Sequence, residues 1–192
     1  SISVPFIFIR AFKKEQVVEV WAKGKSKEEY ALVTQYNFCT TSGTLGPKRK
    51  QGDFQIPEGI YYIDRFNPWS NFYLSLGINY PNSSDRILGN KQNLGGDIFI
   101  HGECATIGCI PITNEKIKEL YVFAVEAKNN GQNKIPVHIF PSKLEGDSYA
   151  KLKDQYRDNE TLLSFWTNLK EVYNSFETTK TLRTVSVDQK GR

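Results

Sequence analysis

Residues 98–113 read IFIHGECATIGCIPIT, and within them HGECATIGC (101–109) holds one of the two histidines and two of the three cysteines of the whole chain. The same stretch marks a change of hydrophobic period. Before it, apolar residues alternate or run together in short blocks. After it, Ile117, Leu120, Tyr121, Ala124 and Val125 fall at i, i+3, i+4, i+7 and i+8, which places one apolar stripe on a helix of about 12 residues. Fold and chemistry are therefore both read outward from His101.

Upstream, FIFIRAF (6–12), VVEVWA (17–22) and YALVTQYNF (30–38) are β-branched and aromatic runs separated by Lys, Gly and Glu, a pattern that predicts a meander. The segment 40–59 carries Gly43, Gly46, Gly52 and Gly59 with Pro47 and Pro57 and predicts an irregular loop. Strands are expected again at IYYIDRF (60–66), FYLSLGI (72–78) and DIFIHG (97–102), the last ending at the histidine. Downstream, Thr113 or Asn114 can cap the helix and Asn129-Asn130-Gly131 can stop it. KIPVHIFP (134–141) returns to strand. Leu162, Phe165, Trp166, Leu169, Val172, Tyr173 and Phe176 mark a second amphipathic helix, and TLRTVSV (181–187) reads as a last strand. The expected fold class is mainly β with packed helices, a β-rich α+β domain whose largely antiparallel core carries two or three helices.

The length, 192 residues and 22.0 kDa, suits one domain over 1–192, with a core in 1–145 and a C-terminal helix and strand in 146–192. A hydrophobic fraction of 39% excludes disorder, and a formal charge of +4 gives no reason to expect nucleic acid. The one dense basic run, Lys48-Arg49-Lys50, lacks interleaved aromatics and reads as a solvated loop. No apolar run approaches the length of a membrane span. The chain starts at Ser1 and contains no methionine, so a processed or trimmed chain is expected.

Three chemistries fit HGECATIGC. As a nucleophile, Cys109 has His101 eight residues earlier, a helix start just after it and Gly108 beside it, where the amides of Gly108 and Cys109 could hold an oxyanion. As a metal site, His101, Cys104 and Cys109 need a fourth ligand such as His138 or Cys39, and H-x2-C-x4-C matches no common zinc knuckle. As a disulfide, Cys104 and Cys109 lie five positions apart and could close under oxidation. Beside these stands the plain reading of a small buried cysteine and a hydrogen-bonded histidine. Cys39, in YNFCTT, reads as buried strand filler.

HG-x-C-x-T-x-G-C followed by a short apolar run and a capped helix resembles the L,D-transpeptidase catalytic domain of bacterial cell-wall enzymes, the YkuD type, and within it the YafK-like branch. The likeness extends over about residues 40–145, through TSGTLGPKRKQGDFQIPEGIYYID, FYLSLGINYPNSSD and VHIFPSKL. It implies a β-sandwich or barrel core and a cysteine-dependent acyl transfer on peptidoglycan stem peptides. It also implies a location in the periplasm or cell envelope, no cofactor, no metal, and a wall-attached protein as a further acceptor. Cys109 becomes the acyl-forming nucleophile and His101 its base and acid. Gly102 shapes the turn beside the base, and Thr106 with Gly108 shapes the turn presenting the thiol. Where the main family has a histidine and an arginine around the cysteine, Ile107 and Pro111 stand here, so Lys48, Arg49 or Arg65 becomes the candidate substrate cation. His138, on the face of its strand shared with Phe140, is a candidate cleft residue, and Tyr61, Ser75 and Tyr80 are candidate wall residues.

Overall fold

The computed structural model describes residues 5–192, so residues 1–4 of the expected domain lie outside the described residues. The meander forms as expected: β1 (Phe6–Phe12), β2 (Val17–Lys23) and β3 (Ala31–Asn37) pair antiparallel, with Ile9 opposite Val20 and Val20 opposite Thr34. On the other side of β1 lies β8 (Ile135–Phe140), parallel to it with Ile9 level with Val137, and β4 (Gly59–Asn67) runs antiparallel beyond that. Then come β5 (Ser75–Ile78), β6 (Phe99–His101) and β7 (Ile110–Pro111), giving one sheet in the order β3-β2-β1-β8-β4-β5-β6-β7. The described helices are α1 (Ser83–Leu88), α2 (Asn114–Asn129), α3 (Gly146–Gln155) and α4 (Glu160–Thr179).

Both faces of the sheet centre are covered, which is why FIFIRAF and IPVHIF are apolar almost throughout. On one face, Ile7, Ile9, Val18, Val20, Ile63, Val137 and Ile139 pack with Ile117, Leu120, Ala124 and Ala127 of α2. Each large aliphatic side chain buried there contributes about 1.5–3 kcal/mol. On the other face, Phe8, Phe12 and Phe140 lie under Trp166, Leu169, Tyr173 and Phe176 of α4. The charged Arg10 is tolerated in that layer because it donates to Glu19 at 2.8 Å and to Glu177 at 2.6 Å while its guanidinium lies 4.7 Å from the Phe176 ring centre.

The strands at the two ends of the order come back together. Just past β3, the Cys39 N–H donates to the Pro111 carbonyl of β7 at 3.1 Å, and Cys39 is disulfide-bonded to Cys104, Cα to Cα 5.5 Å. The sheet is therefore curled almost to closure around α2, which gives the barrel character that the resemblance implied.

Several elements depart from expectation. α1 is a six-residue helix started by a reciprocal cap between Asn82 and Asp85, in a segment whose Pro, Asn and Ser content reads as a turn. α3 buries only Leu152, too little to write an apolar stripe. β7 is two residues long and visible only through its pairing with β6. The strand expected at 181–187 does not form: the segment has no regular structure, with Leu182 packed against the cluster of Phe8 and Phe176 and residues 183–187 exposed.

Candidate active site

His101 ends β6 with Ser75 of β5 on one side and Pro111 of β7 on the other, and it is 2% exposed. Its Nδ1 lies 2.5 Å from the Gly102 carbonyl, which can only accept, so Nδ1 carries the proton and Nε2 is the free ring nitrogen. The Phe72 ring rests against the imidazole, 4.6 Å between centres. Burial lowers the pKa of His101, with the Gly102 carbonyl opposing, so the ring is neutral at neutral pH. Gly102 is required by space: a Cβ there would meet the Asn114 side chain at 2.5 Å and the Phe72 carbonyl at 2.8 Å. Asn114, a possible cap residue in the sequence, instead ties the loop down by accepting from the Glu103 N–H and donating to the Glu103 carboxylate, each at 2.8 Å. Thr113 holds the N-cap position with no side-chain bond.

Cys109 follows Gly108, whose φ of +136° and approach to the Gln55 carbonyl leave no room for another residue. Thr106 organises this turn. Its hydroxyl accepts from the Cys109 N–H at 2.8 Å and the Gly108 N–H at 3.2 Å, and donates to the Cys109 carbonyl at 2.8 Å. The two amides read from the sequence as oxyanion donors are thus turned into the loop. The half-buried Cys109 sulfur accepts from the Phe99 N–H at 3.4 Å and donates to the Asp97 carbonyl at 3.6 Å. Burial pushes the thiol above its ordinary pKa; the Phe99 amide and Lys48 oppose this and the Asp97 charge adds to it. The thiol is therefore protonated at neutral pH, where the sequence suggested one activated by the helix start. The first cause is burial of the sulfur in the cleft.

His101 and Cys109 line the same cleft of about 470 Å³, with Ser75, Phe72, Asp97, Phe99, Thr106 and Ile107 among its walls. Ile107 is 74% exposed at its mouth. Phe72 and Asp97 escaped the sequence reading because the loops before β5 and β6 bring them in, and Phe99 because it enters from the start of β6.

Other candidates go elsewhere. His138 does not line the cleft: it faces α4 with Phe140, packs 4.6 Å from the Phe8 ring, and has a buried Nδ1 with no hydrogen-bond partner. The period-two pleat puts it on the face opposite Val137 and Ile139. Tyr61 and Tyr80 are buried, donating to Asp85 and to the Leu94 carbonyl. The basic run is not a solvated loop, since Lys48 is 3% exposed against Asp53 and Arg49 pairs with buried Asp85. Cys104 bonds Cys39, not Cys109, because closure of the sheet brings the end of β3 over the loop after β6. Cys39 is accordingly half-buried and bonded, not strand filler. Among the described residues no group of three or more His, Cys, Asp or Glu side chains is placed to hold a metal ion.

A curled β sheet around one helix, with a histidine and a free cysteine at its seam, defines a family. The family model for the L,D-transpeptidase catalytic domain, YkuD, matches residues 7–139, and the chain belongs to that family. It is 36% identical over 184 residues to YafK of Escherichia coli K12, itself only provisionally assigned as an L,D-transpeptidase; the match covers 94% of this chain and 70% of YafK. Two crystal structures of the helical cell shape determining protein Pgp2 from Campylobacter jejuni share the fold. The K307A form matches with a TM-score of 0.56 at 22% identity, over 84% of this chain and 60% of that one. The other matches with a TM-score of 0.54 at 21% identity, over 98% and 76%.

Proposed function

We propose that the chain is a cysteine-dependent L,D-transpeptidase that acts on peptidoglycan stem peptides through a thioester on Cys109. The observation that carries this is a neutral imidazole, pinned at Nδ1 by the Gly102 carbonyl, in the same cleft as the free thiol of Cys109. Both partners rest uncharged, so the proton moves as the bond forms. Nε2 of His101 takes the S–H proton while the sulfur attacks the carbonyl of the L-centre residue. The tetrahedral intermediate collapses to the thioester as His101 gives that proton to the departing amine. An incoming amine from a D-centre then attacks the thioester, loses its proton to His101, and the thiol is restored.

Water in place of the amine makes the same cycle a carboxypeptidase or amidase, and a wall-attached protein is a further acyl partner. Ile107, Phe72 and Phe99 offer an apolar wall to the peptide, while Gly102, Thr106 and Gly108 shape the two turns. On this reading the chain is one catalytic domain working in the periplasm or cell envelope. Family membership and the relative YafK support the substrate class.

Mass spectrometry of sacculus fragments incubated with the protein tests the reading. Wild type should yield cross-linked or trimmed stems. Cys109→Ser and His101→Gln should each melt like wild type and lose at least about 10²-fold in turnover. Wild-type turnover in either variant refutes the role given to that residue. Fragments bound but unchanged would favour a silent wall-binding module instead.

A further inference from the structure

We infer that Arg65 is a positioning residue for the Cys109 thiol, acting through the segment that begins at Asp97. The inference rests on reading Cys109 as the nucleophile and adds a residue from the far side of β5. Arg65 of β4, Gly77 of β5 and Phe99 of β6 stand in one row across the sheet. The register slips between Ile63 and Arg65, and Asp64 and Arg65 both come to lie over Gly77. A Cβ at Gly77 would sit 2.9 Å from Arg65 Nε and 3.1 Å from Asp64 Oδ1, so glycine leaves the corridor in which the arginine lies flat. The guanidinium then passes 4.8 Å from the Phe99 ring centre, takes Asp64 at 3.1 Å through Nε, and grips Asp97 at 2.7 Å through Nη1.

The gripped segment frames the sulfur. Asp97 supplies the carbonyl that accepts from Cys109, and Phe99 supplies the amide that donates to it. Asp97 holds φ at +54°, a left-handed conformation uncommon for residues other than glycine, though aspartate and asparagine adopt it more readily than most. Arg65 fixes it from the side-chain end. It also neutralises a carboxylate whose charge bears on the thiol. The pair is too exposed to matter greatly to stability, with side chains 41% and 83% accessible, so its effect falls on the sulfur. Lys48 from the loop after β3 also bears on the sulfur, and His101 at the end of β6 lines the same cleft. Lys48 is paired with Asp53 and Arg49 with Asp85, which leaves Arg65 as the cation of the three ion-paired with a cleft residue.

The test is the pH profile of Cys109 alkylation by iodoacetamide, read by peptide mass in the full chain with the Cys39–Cys104 bond intact. It needs no turnover. Failure of wild type to process sacculus fragments would therefore sink the peptidoglycan reading and leave these profiles interpretable. Arg65→Gln unmasks Asp97 and should move the midpoint up by about half a pH unit, the effect of one unit charge near a partly solvated thiol. Asp97→Asn should move it down by a similar amount, the double variant should return toward wild type, and Arg65→Lys should stay near wild type. If Arg65→Gln folds poorly, Asp97→Asn and Arg65→Lys carry the test. Midpoints unmoved in both charge-removing variants, or moved in the same direction, overturn the inference. So does a uniform fall in labelling at every pH, which would make Arg65 a structural tie only.

Discussion

Cutting the Cys39–Cys104 bond tests how the sheet is closed. The bond joins residues separated by 65 positions, and the chain-entropy relation for a loop of that length gives about 4.3 kcal/mol of destabilisation of the unfolded chain. Real unfolded chains are already compact, so a Cys39→Ala/Cys104→Ala variant should lose about 3 kcal/mol. For a chain of this size that lowers Tm by about 6–12 °C. Thermal melting by circular dichroism of the oxidised protein, the dithiothreitol-reduced protein and the double variant measures it, with peptide mapping to verify that the untreated protein carries the 39–104 bridge. The reduced protein and the double variant should coincide. Melting of the double variant within about 1 °C of the oxidised protein would refute the stabilisation assigned to the bond, since the Cys39-to-Pro111 hydrogen bond and α2 would then be holding the seam unaided. A bridge mapped to Cys104 and Cys109 would refute it more directly.

Two further outcomes follow from His138 and Thr106. His138 is neutral in the folded protein with its pKa lowered to about 3 by burial and by Arg10, against 6.5 when unfolded. The stabilisation from keeping it neutral is whole above pH 6.5 and is lost as the pH falls toward 3, at about 1.4 kcal/mol per unit. His138→Phe, which suits the ring-lined site beside Phe8 and Phe140, should flatten this acid slope in denaturant titrations between pH 6.5 and 4; parallel slopes in variant and wild type would count against it. Thr106→Val removes the acceptor of two loop amides and should cost about 2 kcal/mol and at least about tenfold in turnover, with Thr106→Ser close to wild type. A Val variant indistinguishable from wild type in melting and product formation would show that the hydroxyl does not organise the turn.

The legible parts of the fold were those written in a period. The meander, β8 and the apolar stripes of α2 and α4 each repeat often enough along the chain to declare their geometry. Short or one-sided elements did not: β7 exists by pairing alone, and α3 has Leu152 as its one buried side chain. At the site, His101, Cys109, Thr106 and Gly108 were visible because a strand end and a tight turn bring near neighbours in sequence together. The Cys39–Cys104 bond, the burial of Lys48 and the removal of His138 from the cleft all depend on which strands become neighbours across the curl. Alternation placed His138 with Phe140 correctly but could not say that α4 covers that face. The Cys109 pKa is raised where the sequence suggested a depressed one, because burial of the sulfur depends on the loops that close over it.

The raised pKa of the Cys109 thiol also bears on chemical durability. Peroxides and disulfides capture thiolates far faster than thiols, so a sulfur whose pKa is held up by burial presents little target. The two remaining cysteines are consumed by each other, so Cys109 has no free thiol in its own chain with which to form a blocking bridge. A thiol kept protonated and without an intramolecular partner survives an oxidising medium in which a permanently ionised one would be steadily used up.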